Sequence, residues 1–211
     1  MIRAVISDFG GVLTTPLIEA FIAFQEESGV DFQSLGQAMG RIVERGGEHP
    51  LFELECGRIT EAEFNAILEA EIEEEVSLAS FRDSYFANLH TNDRMVEFMR
   101  ELRGRGLRMA LLTNNVREWE PLWRSMIPAI DDIFEVIVDS GFVGMRKPDP
   151  RIYELTLERL GDVRAEECVF VDDIDVNCEA ARALGMRPVH FVDAEQAIAE
   201  VEAALGGSAR A

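Results

Sequence analysis

Four short segments put chemically useful side chains at or soon after apolar runs of strand length, and that placement constrains the fold more than any other feature. Ile6-Ser7-Asp8-Phe9-Gly10-Gly11-Val12-Leu13, Leu111-Leu112-Thr113-Asn114-Asn115 and Phe170-Val171-Asp172-Asp173 sit directly at the ends of such runs. Lys147-Pro148-Asp149-Pro150 stands in a loop farther from the nearest one. Open α/β sheets collect ligands beyond the carboxyl ends of their strands, so the pattern reads as a single site built from distant parts of the chain. A short buried-type strand is expected at residues 4–7, and further strands at 108–112, 136–138, 168–171 and 188–191. Helical patterns fall between them: one carrying Met95, Phe98, Met99 and Leu102, then residues 119–125, 150–160, 177–184 and 194–205. Alternating strands and helices predict a parallel sheet with helices on both faces, an α/β fold.

One stretch breaks the alternation. From Leu17 to about His90 no strand run appears and the patterns are helical. Leu17, Ile18, Ala20, Phe21, Ala23 and Phe24 make one apolar helix face, stopped at Ser28-Gly29. Thr60-Glu61-Ala62-Glu63 is a capping box opening a helix through Phe64, Ile67 and Leu68. The expected division is therefore a core of residues 1–15 and 91–205, a helical insertion at 16–90, and a flexible tail at 206–211.

Each segment has a chemical reading and an ordinary one. Asp8 presents a carboxylate at the sheet edge, beside glycines whose amides can approach an anion; it could equally end a strand and cap a turn. Thr113, with the amide that follows it, can hold phosphate oxygens or serve as a turn or helix N-cap. Lys147 lies in a Gly- and Pro-punctuated loop, where lysines are usually solvated, and Arg146 beside it is read as a solvated charge. Asp149-Pro150 is explained by an N-cap followed by a first-turn proline. Asp172 and Asp173 repel each other at the end of a buried strand unless a cation is shared, and their hard oxygens suit Mg2+. The same acids could cap the next helix, whose first turn holds Asp175 and Asn177.

The remaining candidates carry structural readings. His49, His90 and His190 are read as structural or solvated, Trp119 and Trp123 as packing one helix face. Glu69, Glu71, Glu73, Glu74 and Glu75 read as a solvated face. Glu55-Cys56-Gly57-Arg58 reads as a turn that presents a cation.

Charge narrows the function classes. A formal net charge of −20 disfavours a nucleic-acid or anionic-membrane surface, both of which need a basic footprint. An anionic substrate must then be drawn in locally, by a metal ion and a lysine. Three scattered cysteines make structural disulfides an unlikely framework and a reducing, cytoplasmic setting the simpler one. The opening residues lack a signal-peptide core, and no apolar run nears the roughly 20 residues that span a bilayer.

In this order, the four segments resemble the signature motifs of the haloacid dehalogenase (HAD) superfamily, and the insertion resembles that family's small helical cap. Phe170-Val171-Asp172-Asp173-Ile174, with Asn177 and Ala180-Ala181-Arg182-Ala183-Leu184-Gly185-Met186, is similar to the phosphatase domain of soluble epoxide hydrolases. The resemblance implies a Rossmann-like core, an aspartyl-phosphate mechanism and Mg2+. By position it implies Asp8 as nucleophile, Thr113 as the phosphate-binding hydroxyl and Lys147 as the charge-neutralising lysine. Asp8, Asp173, the Gly10 carbonyl and Asp172, directly or through water, are the implied metal ligands. Phe9, Gly10, Asn114 and Arg58 are the implied substrate-binding positions, Arg58 from the cap. One departure stands out. The family's phosphatases usually carry a second aspartate, a general acid and base, where this chain has Gly10. The leading expectation is a Mg2+-dependent phosphatase of a small phosphorylated metabolite, similar also to sugar-phosphatase-like members. A carbon–halogen hydrolase and a non-catalytic phosphoryl-ligand or protein-binding module stand as alternatives. The oligomeric state is not legible.

Overall fold

The computed structural model describes residues 1–72 and 76–206. Strand β1 (Ala4–Ser7) is followed by helices α1 (Leu17–Ser28), α2 (Phe32–Glu44), α3 (Pro50–Glu55), α4 (Glu61–Glu71) and α5 (Phe81–Ala87). Alternation then begins: α6 (Asp93–Gly104), β2 (Arg108–Thr113), α7 (Glu120–Met126), α8 (Ile130–Ile133), β3 (Val136–Asp139), α9 (Ser140–Val143) and α10 (Pro150–Leu160). It closes with β4 (Cys168–Asp172), α11 (Asp175–Ala183), β5 (Arg187–His190) and α12 (Ala194–Leu205). The five strands form one parallel sheet in the order β3-β2-β1-β4-β5.

Side-chain alternation along the strands gives the sheet two buried faces. Val5, Met109, Leu111, Val169 and Val171 join one apolar cluster with Met95, Phe98 and Met99 of α6 and Ala197 and Val201 of α12. Ala4, Ile6, Ala110, Leu112 and Phe170 join a second with Ile152, Tyr153 and Leu160 of α10 and Ala181 of α11. The first cluster continues without a break into the inserted helices, through Phe24, Leu35, Leu54, Phe64, Leu68 and Tyr85.

Local signals set the element boundaries. Gly29, left-handed at φ 73°, ends α1. The Thr60–Glu63 capping box opens α4 as expected, and Asp149 caps α10 ahead of Pro150. The expected helix at 119–125 differs: a 3-10 turn at Arg117–Trp119 comes first and α7 restarts at Glu120, because Pro121 lacks an N–H and is tolerated only in a first turn. Glu69 and Glu71 are not solvated. Glu69 accepts from the Leu78 amide at 2.6 Å, and Glu71 pairs with Arg45 at 2.6 Å. Glu73, Glu74, Glu75 and all but the first residue of the expected tail at 206–211 lie outside the described residues. Among the described residues no helix is long and apolar enough to cross a membrane.

The chain enters and leaves the inserted helices side by side. Thr14 and Thr91 form an antiparallel bridge, and the Thr15 amide donates to the His90 carbonyl at 2.8 Å. On the far side the insertion meets α9 at Gly57, where φ is +64° and a Cβ would lie 2.2 Å from the Gly141 carbonyl oxygen.

Asp139 ends β3, is 6% exposed and caps α9 through the Gly141 amide. Burial pushes its carboxyl up to about 6, from an ordinary value of 3.8. Between those values the folded chain keeps a proton that the unfolded chain releases, so this group lowers stability as pH rises through that window. Asparagine would keep the cap without the charge. Asp139→Asn is expected to raise the melting temperature at pH 8, by the equivalent of on the order of 2–3 kcal/mol. The gain should vanish below pH 4. A pH-independent gain would show that charge burial is not its cause.

Candidate active site

The strand order reverses between β1 and β4, which opens a crevice beyond their carboxyl ends. Ser7 is in register with Leu111 of β2 and with Val171 of β4. Asp8, Thr113 and Asp172 therefore reach the same edge, each at or one residue past its strand. The Asp8 amide continues the ladder by donating to the Val171 carbonyl at 2.8 Å.

Lys147 joins them from the loop before α10. Its Nζ lies 2.8 Å from Asp8 Oδ1 and 2.6 Å from Asp172 Oδ2, and the residue is 1% exposed. Burial alone would discharge the ammonium, but Asp172 and Asp8 together outweigh it and hold its pKa above the ordinary lysine value. Burial pushes Asp8 the other way, up to about 7, with Asp172 and Asp173 adding repulsion and Lys147 opposing. The Phe9 amide also donates to Asp8 Oδ1 at 2.7 Å.

One carboxylate oxygen each from Asp8, Asp172 and Asp173 lies within 4.8 Å of the other two. Asp172 is fully engaged: Oδ1 accepts from the Ile174 amide at 2.9 Å and Asn177 Nδ2 at 3.0 Å, and Oδ2 from Lys147. Asp173 Oδ1, by contrast, is buried with no hydrogen-bond partner. Burial and its neighbour Asp172 raise the Asp173 pKa, which Lys147 only partly offsets. An orphaned carboxylate oxygen beside two other acids fits a divalent cation with oxygen ligands. Gly11 makes room for it: φ is +75°, and a Cβ there would sit 2.2 Å from Asp173 Oδ2.

Several supports were not legible as such. Asn114 clamps the lysine loop with both ends of its amide, accepting from the Lys147 N–H at 2.8 Å and donating to the Lys147 carbonyl at 3.0 Å. Its side chain is thus committed, and only its backbone faces a ligand. Arg146 is not a solvated charge. Its Nε reaches Glu55 Oε2 at 2.6 Å and its guanidinium lies 4.0 Å from the centre of the Phe52 ring. It fastens the inserted helices to the sheet. His190 Nε2 lies 3.0 Å from the Asp173 carbonyl, and His49 stacks on Phe52. Arg58 is not brought to the cluster. It pairs with Glu53 and reaches toward the Gly144 carbonyl at 3.4 Å, half exposed at the outer seam.

Phe9, Gly10, Thr113 and Asn114 also bound one end of a cavity of about 250 Å3 that runs between the sheet edge and the inserted helices. Trp119 and Trp123 are buried but do not share one helix face: Trp119 ends the 3-10 turn, Trp123 lies in α7, and both line the cavity. Leu17 roofs Gly10: a Cβ on that glycine would meet its two methyl carbons at 3.1 and 3.2 Å.

A family model described as haloacid dehalogenase-like hydrolase matches residues 2–185. Acyl-CoA dehydrogenase family member 10 of Mus musculus is 30% identical over 97% of this chain and 19% of its own length. Bifunctional epoxide hydrolase 2 of Rattus norvegicus is 26% identical over 97% of this chain and 39% of its own. Glyceraldehyde 3-phosphate phosphatase of Methanopyrus kandleri is 29% identical over 82% of this chain and 72% of its own. The chain spans only 19% to 59% of the length of its first curated relatives. A HAD family enzyme from Bacteroides thetaiotaomicron, solved with magnesium and inorganic phosphate, shares the fold at a TM-score of 0.68. The two are 23% identical, over 90% of this chain and 93% of that one.

A cation bound to the folded chain alone should stabilise it. At about a hundredfold excess over Kd the gain is about 2.7 kcal/mol, or about 5–10 °C in a chain of this size. Saturating Mg2+ is expected to raise the melting temperature by that amount, and Asp173→Ala or Gly11→Ala to abolish the rise. A melting temperature indifferent to millimolar Mg2+ would remove the cation from this account.

Proposed function

The chain belongs to the haloacid dehalogenase-like hydrolases, and on that premise we propose that it is a Mg2+-dependent phosphatase working through a phosphorylated Asp8. The observation that carries this reading is the buried Lys147 ammonium, 2.8 Å from Asp8 and 2.6 Å from Asp172, beside the unpartnered oxygen of Asp173.

In this reading an Asp8 carboxylate oxygen attacks the phosphorus of a phosphate monoester and the bond to the leaving oxygen breaks. Lys147, buried at 1% exposure, holds positive charge where the transferred group gathers negative charge. The Thr113 hydroxyl and the backbone amides at Gly10 and Asn114 hold the phosphoryl oxygens, while the Phe9 amide holds Asp8 Oδ1 in place. Asp8, Asp173 and the Gly10 carbonyl, with Asp172 directly or through water, would hold Mg2+, which would supply charge neutralisation for the phosphate. Water then attacks the acyl phosphate, regenerating Asp8 and releasing inorganic phosphate. The names of the phosphatase relatives support the reaction class. Carbon–halogen hydrolysis fits less well, because it leaves the Asp172–Asp173 pair and the orphaned oxygen without a purpose.

Gly10 sets the limit on chemistry. With no carboxylate there, the departing oxygen takes its proton from water or leaves as an anion. A positioned general acid is worth on the order of 10²–10⁴ in rate. Wild-type kcat/KM, which reports the step that expels the leaving group, is therefore expected to fall steeply as that group becomes less acidic, with aryl and acyl phosphates ahead of alkyl phosphates. Because Leu17 roofs the position, Gly10→Asp is expected to restore alkyl phosphate turnover best when combined with Leu17→Ala. A kcat/KM that ignores leaving-group acidity would mean that another residue supplies the proton.

A further inference from the structure

The cavity beyond Gly10 does not resemble a pocket for a sugar or a small polar acid. Phe21, Leu35, Leu68, Phe81, Tyr85 and Trp119 lie along it, contributed by four of the five inserted helices and the turn before α7. Their rings meet one another directly: Phe81 to Tyr85 at 6.0 Å, Tyr85 to Trp119 at 5.2 Å, Phe86 to Trp119 at 5.5 Å between centroids. Among the described lining residues there is no lysine or arginine. The one acid among the described lining residues is Glu55, whose charge is already matched by Arg146 at 2.6 Å. Arg58, the cation of the same turn, faces the outer seam and lines a separate depression with Gly144 and Arg151. A second phosphate or a carboxylate on the substrate would therefore find no counter-charge here, while a hydroxylated chain would find few partners. An aliphatic chain would lose only water.

We infer that the substrate is a phosphoryl compound carrying a single phosphate and a neutral aliphatic tail, with the tail in this cavity and the phosphate against Asp8. The inference rests on the phosphatase reading for the phosphate end only; the tail end rests on the cavity itself. It also combines with the missing carboxylate at Gly10. Tail length acts on binding and leaving-group acidity acts on the chemical step. A long-chain acyl phosphate satisfies both: the P–O bond breaks with its electron pair going to a carboxylate that needs no proton, water completes the cycle, and the products are a fatty acid and phosphate.

The test is a binding series of alkylphosphonates from ethyl to octyl, below their micellar concentrations, titrated calorimetrically into the protein with Mg2+. Each methylene that becomes fully buried strengthens binding by about fourfold. Ethyl to octyl is expected to gain on the order of a hundredfold, about what four buried methylenes supply. Met39, half-buried on α2 and lining the cavity, offers a variant: Met39→Trp fills space and should move the plateau to a shorter chain. Equal affinity for ethyl and octyl phosphonate overturns the inference, whatever the enzyme hydrolyses. Turnover is read separately with acetyl and octanoyl phosphate, whose carboxylate leaving groups are of nearly equal acidity and differ only in tail. Octanoyl should have the lower KM. A steep phosphonate series with no turnover of either compound would uphold the tail site and sink the phosphatase reading. Turnover of both with equal KM and a flat series would do the reverse.

Discussion

A lysine ammonium buried between two carboxylates is the constraint on which the site depends. Taking Lys147, Asp8 and Asp172 out of water is costly, and only close pairing makes it tolerable. The pairing is incomplete. With Asp173 included, three carboxylates face one ammonium, leaving two negative charges unbalanced when all are ionised. Burial first, and repulsion from neighbouring carboxylates after it, push Asp8 and Asp173 upward, and Lys147 only partly opposes that push. A divalent cation matches the imbalance in charge, and Asp173 Oδ1 is the atom left without a partner. The parallel sheet serves this arrangement by bringing the ends of β1, β2 and β4 into register, and Asn114 fixes the loop that delivers the lysine.

The inserted helices are not a separate body resting on the sheet. They share its apolar cluster, join it through paired linkers at Thr14 and Thr91, and close against α9 where Gly57 meets Gly141. The Glu55–Arg146 pair spans the same seam from the residue next to Lys147. A substrate whose tail occupies the space between insertion and sheet would thus be sensed at both ends, by apolar walls and by the carboxylate cluster.

Much of this was legible in the sequence because the signals are local. Buried parallel strands read as apolar runs, Thr60–Glu63 reads as a capping box, Asp149-Pro150 as a helix start, and each is where the structure has it. Asp8, Thr113, Asp172 and Asp173 stood out through their positions at strand ends, and Lys147, in a loop away from any strand, only through its place in the order of the four segments. What was hidden depends on contacts across long stretches of chain. Asn114 reads as a turn residue until Lys147, 33 residues away, is placed against it. Arg146 reads as solvated until Glu55 and Phe52 arrive from the insertion. Arg58 has the charge of a substrate contact but faces outward, because the turn that carries it is fixed by Gly57 against Gly141. Gly11 reads as a residue that admits an anion, whereas the group its missing Cβ admits is the Asp173 carboxylate.

The central claim is that a phosphoryl group passes through Asp8. The most direct measurement is rapid quenching of the enzyme with acetyl phosphate and Mg2+, followed by peptide mass spectrometry of the segment that includes Asp8. The account predicts a phosphoryl adduct on Asp8 that forms within the first turnover, accumulates because no carboxylate at Gly10 speeds its hydrolysis, and is absent in Asp8→Asn. Turnover with no adduct on Asp8, or an adduct on another residue, would contradict it.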